Sequence, residues 1–187
     1  IDQLPQRFAL AGLSMGGIVA MEILRRVPDR VTRLCLMDTN PLAETPPEAA
    51  AREPMIVRVR AGRLDEVMRE AMKPDFLAPG PARMAVLNAV YAMAADLGPE
   101  VFVRQSRALQ RRRDQQSTLR KYKGPTLILC GAHDRLTPVK RHSFMAELMP
   151  AAELQVIEEA GHLPPLEAPE ATLQALRTWL AMRRTVA

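Results

Sequence analysis

The sequence predicts an α/β protein, a mostly parallel sheet flanked by helices and interrupted by a helical insertion, and three observations carry that reading. Phe8-Ala-Leu-Ala-Gly12-Leu13-Ser14-Met15-Gly16-Gly17-Ile-Val-Ala-Met-Glu-Ile runs as a short apolar strand, a glycine-bracketed serine and an apolar-periodic helix. Thr126-Leu-Ile-Leu-Cys130-Gly131 and Leu154-Gln-Val-Ile read as further strands, the first a continuous apolar run of the kind a parallel sheet buries on both faces. Between Leu42 and Tyr122, Ala, Met, Arg and Pro dominate and the strand signal almost vanishes.

Taken in order, the helix that follows the serine runs from Met15 to about Val27 and stops at Pro28-Asp29. Val31 to Asp38 is the next strand, and Thr39-Asn40-Pro41 marks its exit. Inside the insertion, helices fit over 47–60, 63–73, 81–95, 99–112 and 114–121, with Gly62, Pro74, Pro79-Gly80-Pro81 and Gly98-Pro99 as breaks. After the strand at Thr126 comes a helix from Lys140 to Leu148, then the strand at Leu154, then a closing helix from Pro169 to Met182. The expected organisation is therefore a core over 1–41, a helical segment over 42–122 and a core over 123–187.

Gly12-Leu13-Ser14-Met15-Gly16 is a G-x-S-x-G motif between strand and helix, the setting that places a serine hydroxyl above the end of a sheet on a strained turn. A side chain at position 12 or 16 is expected to collide with the neighbouring strand or helix. The Met15 N–H opens the helix without an intrahelical acceptor and is the expected oxyanion donor. Asp134, in the loop beyond the apolar strand, and His162, in the loop beyond the next one, lie at the carboxyl ends of strands, where open α/β sheets gather their ligand chemistry. Asp38, ending the strand after the first helix, is a second candidate for the acid. His133 and His142 read as surface residues, Glu167 as a brace for the histidine loop, and no His, Cys or carboxylate cluster has the spacing of a metal site.

The order Ser14, Asp134, His162 is that of the α/β-hydrolases, not of the two unrelated serine protease types. With the segments Gly131-Ala-His-Asp-Arg-Leu-Thr-Pro138 and Gly161-His-Leu-Pro-Pro-Leu-Glu-Ala-Pro-Glu170, the chain resembles the single-domain α/β-hydrolase esterases, a group that includes carboxylesterases, enol-lactonases and carbon–carbon bond hydrolases. The resemblance implies a Ser14–His162–Asp134 triad, hydrolysis of carboxylic esters through an acyl-enzyme, no cofactor and no metal. It implies that the insertion is a cap, whose Met55, Met72, Phe76, Met84 and Tyr91 would line the substrate pocket together with Leu136 of the core. Only seven residues precede Phe8, whereas the family places several strands before the serine motif. The expectation is a chain lacking those strands, with the Ser14 strand left at an open edge and no candidate for the second oxyanion donor. Lactonase, thioesterase, carbon–carbon hydrolase and non-catalytic ligand receptor stand as alternatives.

Composition narrows the partners. At 187 residues and 48% hydrophobic the chain can bury a sizeable core, and no apolar run in it is expected to span a membrane. The net charge of +5 gathers in Arg104, Arg107, Arg111, Arg112, Arg113, Arg120, Lys121 and Lys123, a solvated helix face or the seat of an acidic partner such as an acyl carrier protein. No nucleic-acid motif accompanies that charge. Cys35 and Cys130 lie in predicted strands and imply no disulfide framework, so a cytoplasmic, reducing setting is expected.

Overall fold

The computed structural model describes residues 1–182. In chain order the elements are β1 (Phe8–Leu13), α1 (Met15–Arg26), β2 (Val31–Met37), α2 (Pro46–Arg60), α3 (Leu64–Ala71), α4 (Arg83–Gln110), α5 (Gln116–Lys121), β3 (Thr126–Gly131), α6 (Val139–Leu148), β4 (Ala152–Ile157), α7 (Pro164–Glu167) and α8 (Pro169–Ala181). The described residues fall into two compact units: residues 1–41, 76–78 and 115–182 make the first, and residues 42–75 and 79–114 the second.

In the first unit all four strands are parallel and pair in the order β1-β2-β3-β4, with Ala11 opposite Cys35, Cys35 opposite Leu127 and Leu127 opposite Glu153. Each strand therefore points its carboxyl end to the same edge of the sheet, and every loop that follows a strand begins there. Side-chain alternation along β2 and β3 builds two cores. Leu34, Leu36 and Ile128 pack on one face with Ala20, Met21 and Leu24 of α1, Leu119 of α5 and Met145 of α6. Cys35, Met37, Leu127 and Leu129 pack on the other with Ala175 and Trp179 of α8. Each fully buried Leu or Ile contributes on the order of 1.5–3 kcal/mol, so both faces of the central strands are anchored. β1 is an edge strand, and its Ala9 and Ala11 are exposed.

The second unit ends at Asp114, not at Tyr122. Leu119 and Tyr122 are buried in the core of the first unit, and Gln115 ties α5 there by donating its N–H to Pro41 O at 2.8 Å and its Nε2 to Glu22 at 3.0 Å.

The second unit is helical. Thr45 and Glu48 form a reciprocal capping box at the start of α2, and Ile56, Val59, Val67 and Val103 make a small core shared by α2, α3 and α4. By length and composition alone α4 is apolar enough to cross a membrane, contrary to expectation. Gly98, at φ 78° and ψ 174°, breaks it at the Gly98-Pro99 signal, leaving two stretches each shorter than the ~20 residues a bilayer requires.

Candidate functional site

Ser14 sits at the turn from β1 to α1 with φ 51° and ψ −115°, a left-handed conformation that residues with a Cβ rarely take. The turn is held on three sides. Ser14 N–H donates to Met37 O at 2.9 Å, Gly17 N–H donates to Ser14 O at 3.0 Å, and the Thr39 hydroxyl donates to Ser14 O at 2.7 Å. A Cβ on Gly12 would lie 2.3 Å from Gly16 O, so that glycine is required for strand and helix to approach. The expected collision at Gly16 does not occur: a Cβ there meets nothing within 4 Å, because the position faces outward. Gly17 is the second sterically required glycine, since its Cβ would lie 2.6 Å from Thr39 Oγ1.

His162 connects the serine to the acid. Its Nε2 lies 2.9 Å from Ser14 Oγ and its Nδ1 lies 2.9 Å from Asp134 Oδ2. Asp134 and His162 are both buried, so each needs its partner. Asp134 Oδ1 accepts the N–H groups of Leu136 at 2.8 Å and Thr137 at 2.9 Å, while Oδ2 also accepts the Thr137 hydroxyl at 2.5 Å. Burial pushes the Asp134 carboxyl up, but hydrogen bonds from His162 and Thr137 outweigh it and hold the group below the usual carboxylate range. Asp134 is thus an anion facing the imidazole.

The loop bearing His162 is clamped from its own side. Glu167 accepts from Gly161 N–H at 3.0 Å, Leu163 N–H at 2.8 Å and Ala78 N–H at 2.6 Å, and His162 N–H donates to Phe76 O at 2.8 Å. Glu167 braces the histidine loop, as its place in the sequence suggested. Gly131 lets the acid loop approach the histidine loop, because a Cβ there would lie 2.1 Å from Gly161 O, and Gly161 lets the histidine loop approach residues 76–78, because a Cβ there would lie 2.4 Å from Phe76 O.

His142 is not a surface residue. It is fully buried on α6; its Nε2 accepts Thr39 N–H at 3.0 Å and its Nδ1 donates to Pro138 O at 3.3 Å. Burial holds it neutral, with its pKa lowered to about 4. Through Thr39 it ties the acid loop to the serine turn, a role missed because a lone His in a short helix carries no local signal of burial. His133 is exposed, as expected.

Asp38, the second acid candidate, is fully buried at φ 41° beside Asp134 and His162, but His162 Nδ1 is bonded to Asp134. One donor atom from each of Asp38, Asp134 and His162 lies within 4.8 Å of the others, a cluster that the sequence spacing did not suggest. Both His162 nitrogens and both Asp134 oxygens are already committed to protein partners, which leaves a cation little to bind.

The remaining candidates belong to both units. Phe76 carries the carbonyl that receives His162 N–H, and Leu136 is 46% exposed at the acid loop. Met55, Met72, Met84 and Tyr91 belong to the second unit, where Tyr91 donates its hydroxyl to Met72 O at 2.9 Å, Met55 packs on the small core and Met84 is exposed. Cys35 and Cys130 are buried free thiols, and burial pushes both up to about 12.

Residues 1–175 match the model of the alpha/beta hydrolase family. The chain is 32% identical over 181 residues to a pimeloyl-[acyl-carrier protein] methyl ester esterase of Aromatoleum aromaticum, covering 91% of this chain and 72% of that protein. Among solved structures, a thermophilic esterase from Thermogutta terrifontis is 33% identical with a TM-score of 0.88, over 94% of this chain and 65% of that one. The enol-lactonase of Burkholderia xenovorans LB400 shares the fold at 22% identity, with a TM-score of 0.78 over 95% of this chain and 66% of its own. The chain thus spans roughly two thirds of the length of the proteins it is similar to.

Proposed function

Because the chain belongs to the alpha/beta hydrolase family, we propose that it is a serine hydrolase that cleaves carboxylic esters with small or medium apolar acyl groups. One observation carries this reading: a single imidazole lies 2.9 Å from both a serine hydroxyl on a strained turn and a buried carboxylate. His162 takes the Ser14 proton as Oγ attacks the ester carbonyl, and Asp134 holds the imidazole tautomer and stabilises the imidazolium. Met15 N–H, at the head of α1, receives the developing oxyanion. His162 then protonates the leaving alcohol, and the same base activates the water that frees the acid. No cofactor enters these steps.

The substrate reading is a methyl ester or similar small alkyl ester. The pimeloyl-[acyl-carrier protein] methyl ester esterase similarity supports a carrier-borne version, for which the exposed Arg104, Arg111 and Arg113 would meet an acidic carrier. Met55, Met72, Met84, Tyr91, Phe76 and Leu136 are the proposed pocket lining. Two buried, unbridged thiols suit a reducing, cytoplasmic setting.

A fluorophosphonate probe, which requires an activated serine, should label the protein at Ser14, and p-nitrophenyl acetate should be hydrolysed. Ser14→Ala should abolish both, and Asp134→Asn should lower turnover by about 10⁴-fold. A folded protein that binds small carbonyl ligands yet neither labels nor turns over the ester would establish the receptor reading instead.

A further inference from the structure

Asp38 has no part in the mechanism above, yet its side chain is wholly buried within the site. Its backbone is pinned by an N–H donated to Leu129 O at 3.0 Å, and the residue takes a left-handed φ of 41° just past the end of β2. Its Oδ1 accepts Gly131 N–H at 3.0 Å. Its Oδ2 is sealed from water and receives no donor. That is an odd state for an anion, which accepts hydrogen bonds at both oxygens when buried.

Two buried carboxyl groups with oxygens within 4.8 Å of each other cannot both carry charge at neutral pH. Asp134 is supplied with the Leu136 and Thr137 N–H groups, the Thr137 hydroxyl and His162 Nδ1, all of which favour its anion. Asp38 has the Gly131 N–H alone. The shared proton belongs on the group with fewer donors. We propose that Asp38 is a neutral carboxylic acid whose Oδ2–H donates to the Asp134 carboxylate, making Asp38 a positioning residue for the acid that orients His162.

The orphaned oxygen then becomes a satisfied donor. Burial first, and the nearby Asp134 carboxylate after it, push the Asp38 carboxyl up to about 10 against the pull of Gly131 N–H. The other titratable groups around it act consistently: Glu167 of α7 adds negative charge, Cys130 of β3 stays a thiol, and His142 of α6 stays neutral. A second anion here would add uncompensated negative charge beside the Asp134 carboxylate. Asp38 as a neutral donor steadies Asp134 without adding that charge.

The effect on turnover rests on the hydrolase reading above, whereas the protonation state does not. Asp38→Asn reproduces the proposed state, with an amide Nδ2–H toward Asp134 and an oxygen for Gly131 N–H. The infrared difference between wild type and D38N at pH 7 should show the carbonyl band of a protonated carboxylic acid that wild type alone contains. On p-nitrophenyl acetate, Asp38→Ala should lower kcat by about tenfold or more with KM little changed, and D38N should restore it to within a few-fold of wild type with the acidic limb of the pH profile in place. Absence of the protonated-acid band overturns the proposal, as does a D38N loss comparable to that of Asp134→Asn. Should D38A fail to fold, D38N and the infrared band still decide; should wild type lack esterase activity, the band decides alone and only the hydrolase reading falls.

Discussion

Glu167 offers the sharpest test of how the histidine loop is held. One oxygen accepts Ala78 and Gly161 N–H at 2.6 and 3.0 Å, and the other accepts Leu163 N–H at 2.8 Å, so the two residues that flank His162 hang from one carboxylate. Hydrogen bonds to a charged group contribute about 1.5–3 kcal/mol each when buried, but Glu167 is only half-buried and water can replace part of the loss. Taking about 1 kcal/mol per bond, Glu167→Ala should cost about 3 kcal/mol. Glu167→Gln keeps the shape but turns an NH₂ donor toward one of the N–H groups, so one bond is lost and a donor–donor contact added, about 1–2 kcal/mol. A loosened loop shifts His162 against Ser14, and displacement on the ångström scale costs about 10²-fold in rate. Urea unfolding monitored by circular dichroism gives the stability term, and p-nitrophenyl acetate kinetics give the rate term, which should fall on kcat. Wild-type values for E167Q in both assays would refute the claim that the carboxylate holds the loop.

Two further outcomes follow from packing and charge. Gly17→Ala would set a Cβ 2.6 Å from Thr39 Oγ1 and displace the hydroxyl that holds Ser14 O, so it should cost about 1–3 kcal/mol and lower turnover; Gly16→Ala meets open space inside a helix and should raise stability by up to about 1 kcal/mol, both read from urea midpoints. His142, at about 4 in the fold against 6.5 when exposed, contributes stability that is complete above pH 6.5 and lost as pH falls toward 4, up to about 3 kcal/mol in all. Asp38, raised from 3.8 to about 10, acts in the opposite sense: its contribution is complete below pH 3.8 and is lost as pH rises toward 10, by up to about 1.4 kcal/mol per pH unit. Between pH 4 and 6.5 the two slopes oppose each other in wild type. Urea titrations should show stability rising as pH falls for His142→Gln and falling for Asp38→Asn, and parallel curves for the two variants would contradict both assignments.

The parts of this molecule legible in sequence are those where chemistry or sterics leave few residue choices. A serine between glycines at a strand-to-helix turn, and an Asp and a His each just past an apolar strand, announce themselves because the strand ends fix where they emerge. The break at Gly98-Pro99 was legible for the same reason. His142 was not, since its burial depends on α6 packing onto β3 and β4 and on a single N–H from Thr39, a residue 103 positions away. Gly16 and Gly17 are indistinguishable as letters; only the placement of Thr39 separates the open position from the crowded one. Asp38 was visible as a candidate acid, but His162 Nδ1 bonds Asp134 instead, and the N–H groups of Leu136 and Thr137 that also reach Asp134 come from a turn the sequence does not mark.

The common direction of the four strands also sets a timetable. Ser14 follows β1 and His162 follows β4, 148 residues later, so their contact closes the longest loop in the site. While the chain is being synthesised, the serine turn can form on β1, α1 and β2 long before β4 and its histidine exist. Until then the hydroxyl has no base beside it and is as inert as any surface serine. On the proposed mechanism, Ser14 becomes a nucleophile only when β4 adds to the sheet and brings His162 beside it, so the reactive hydroxyl is switched on by a late step of folding.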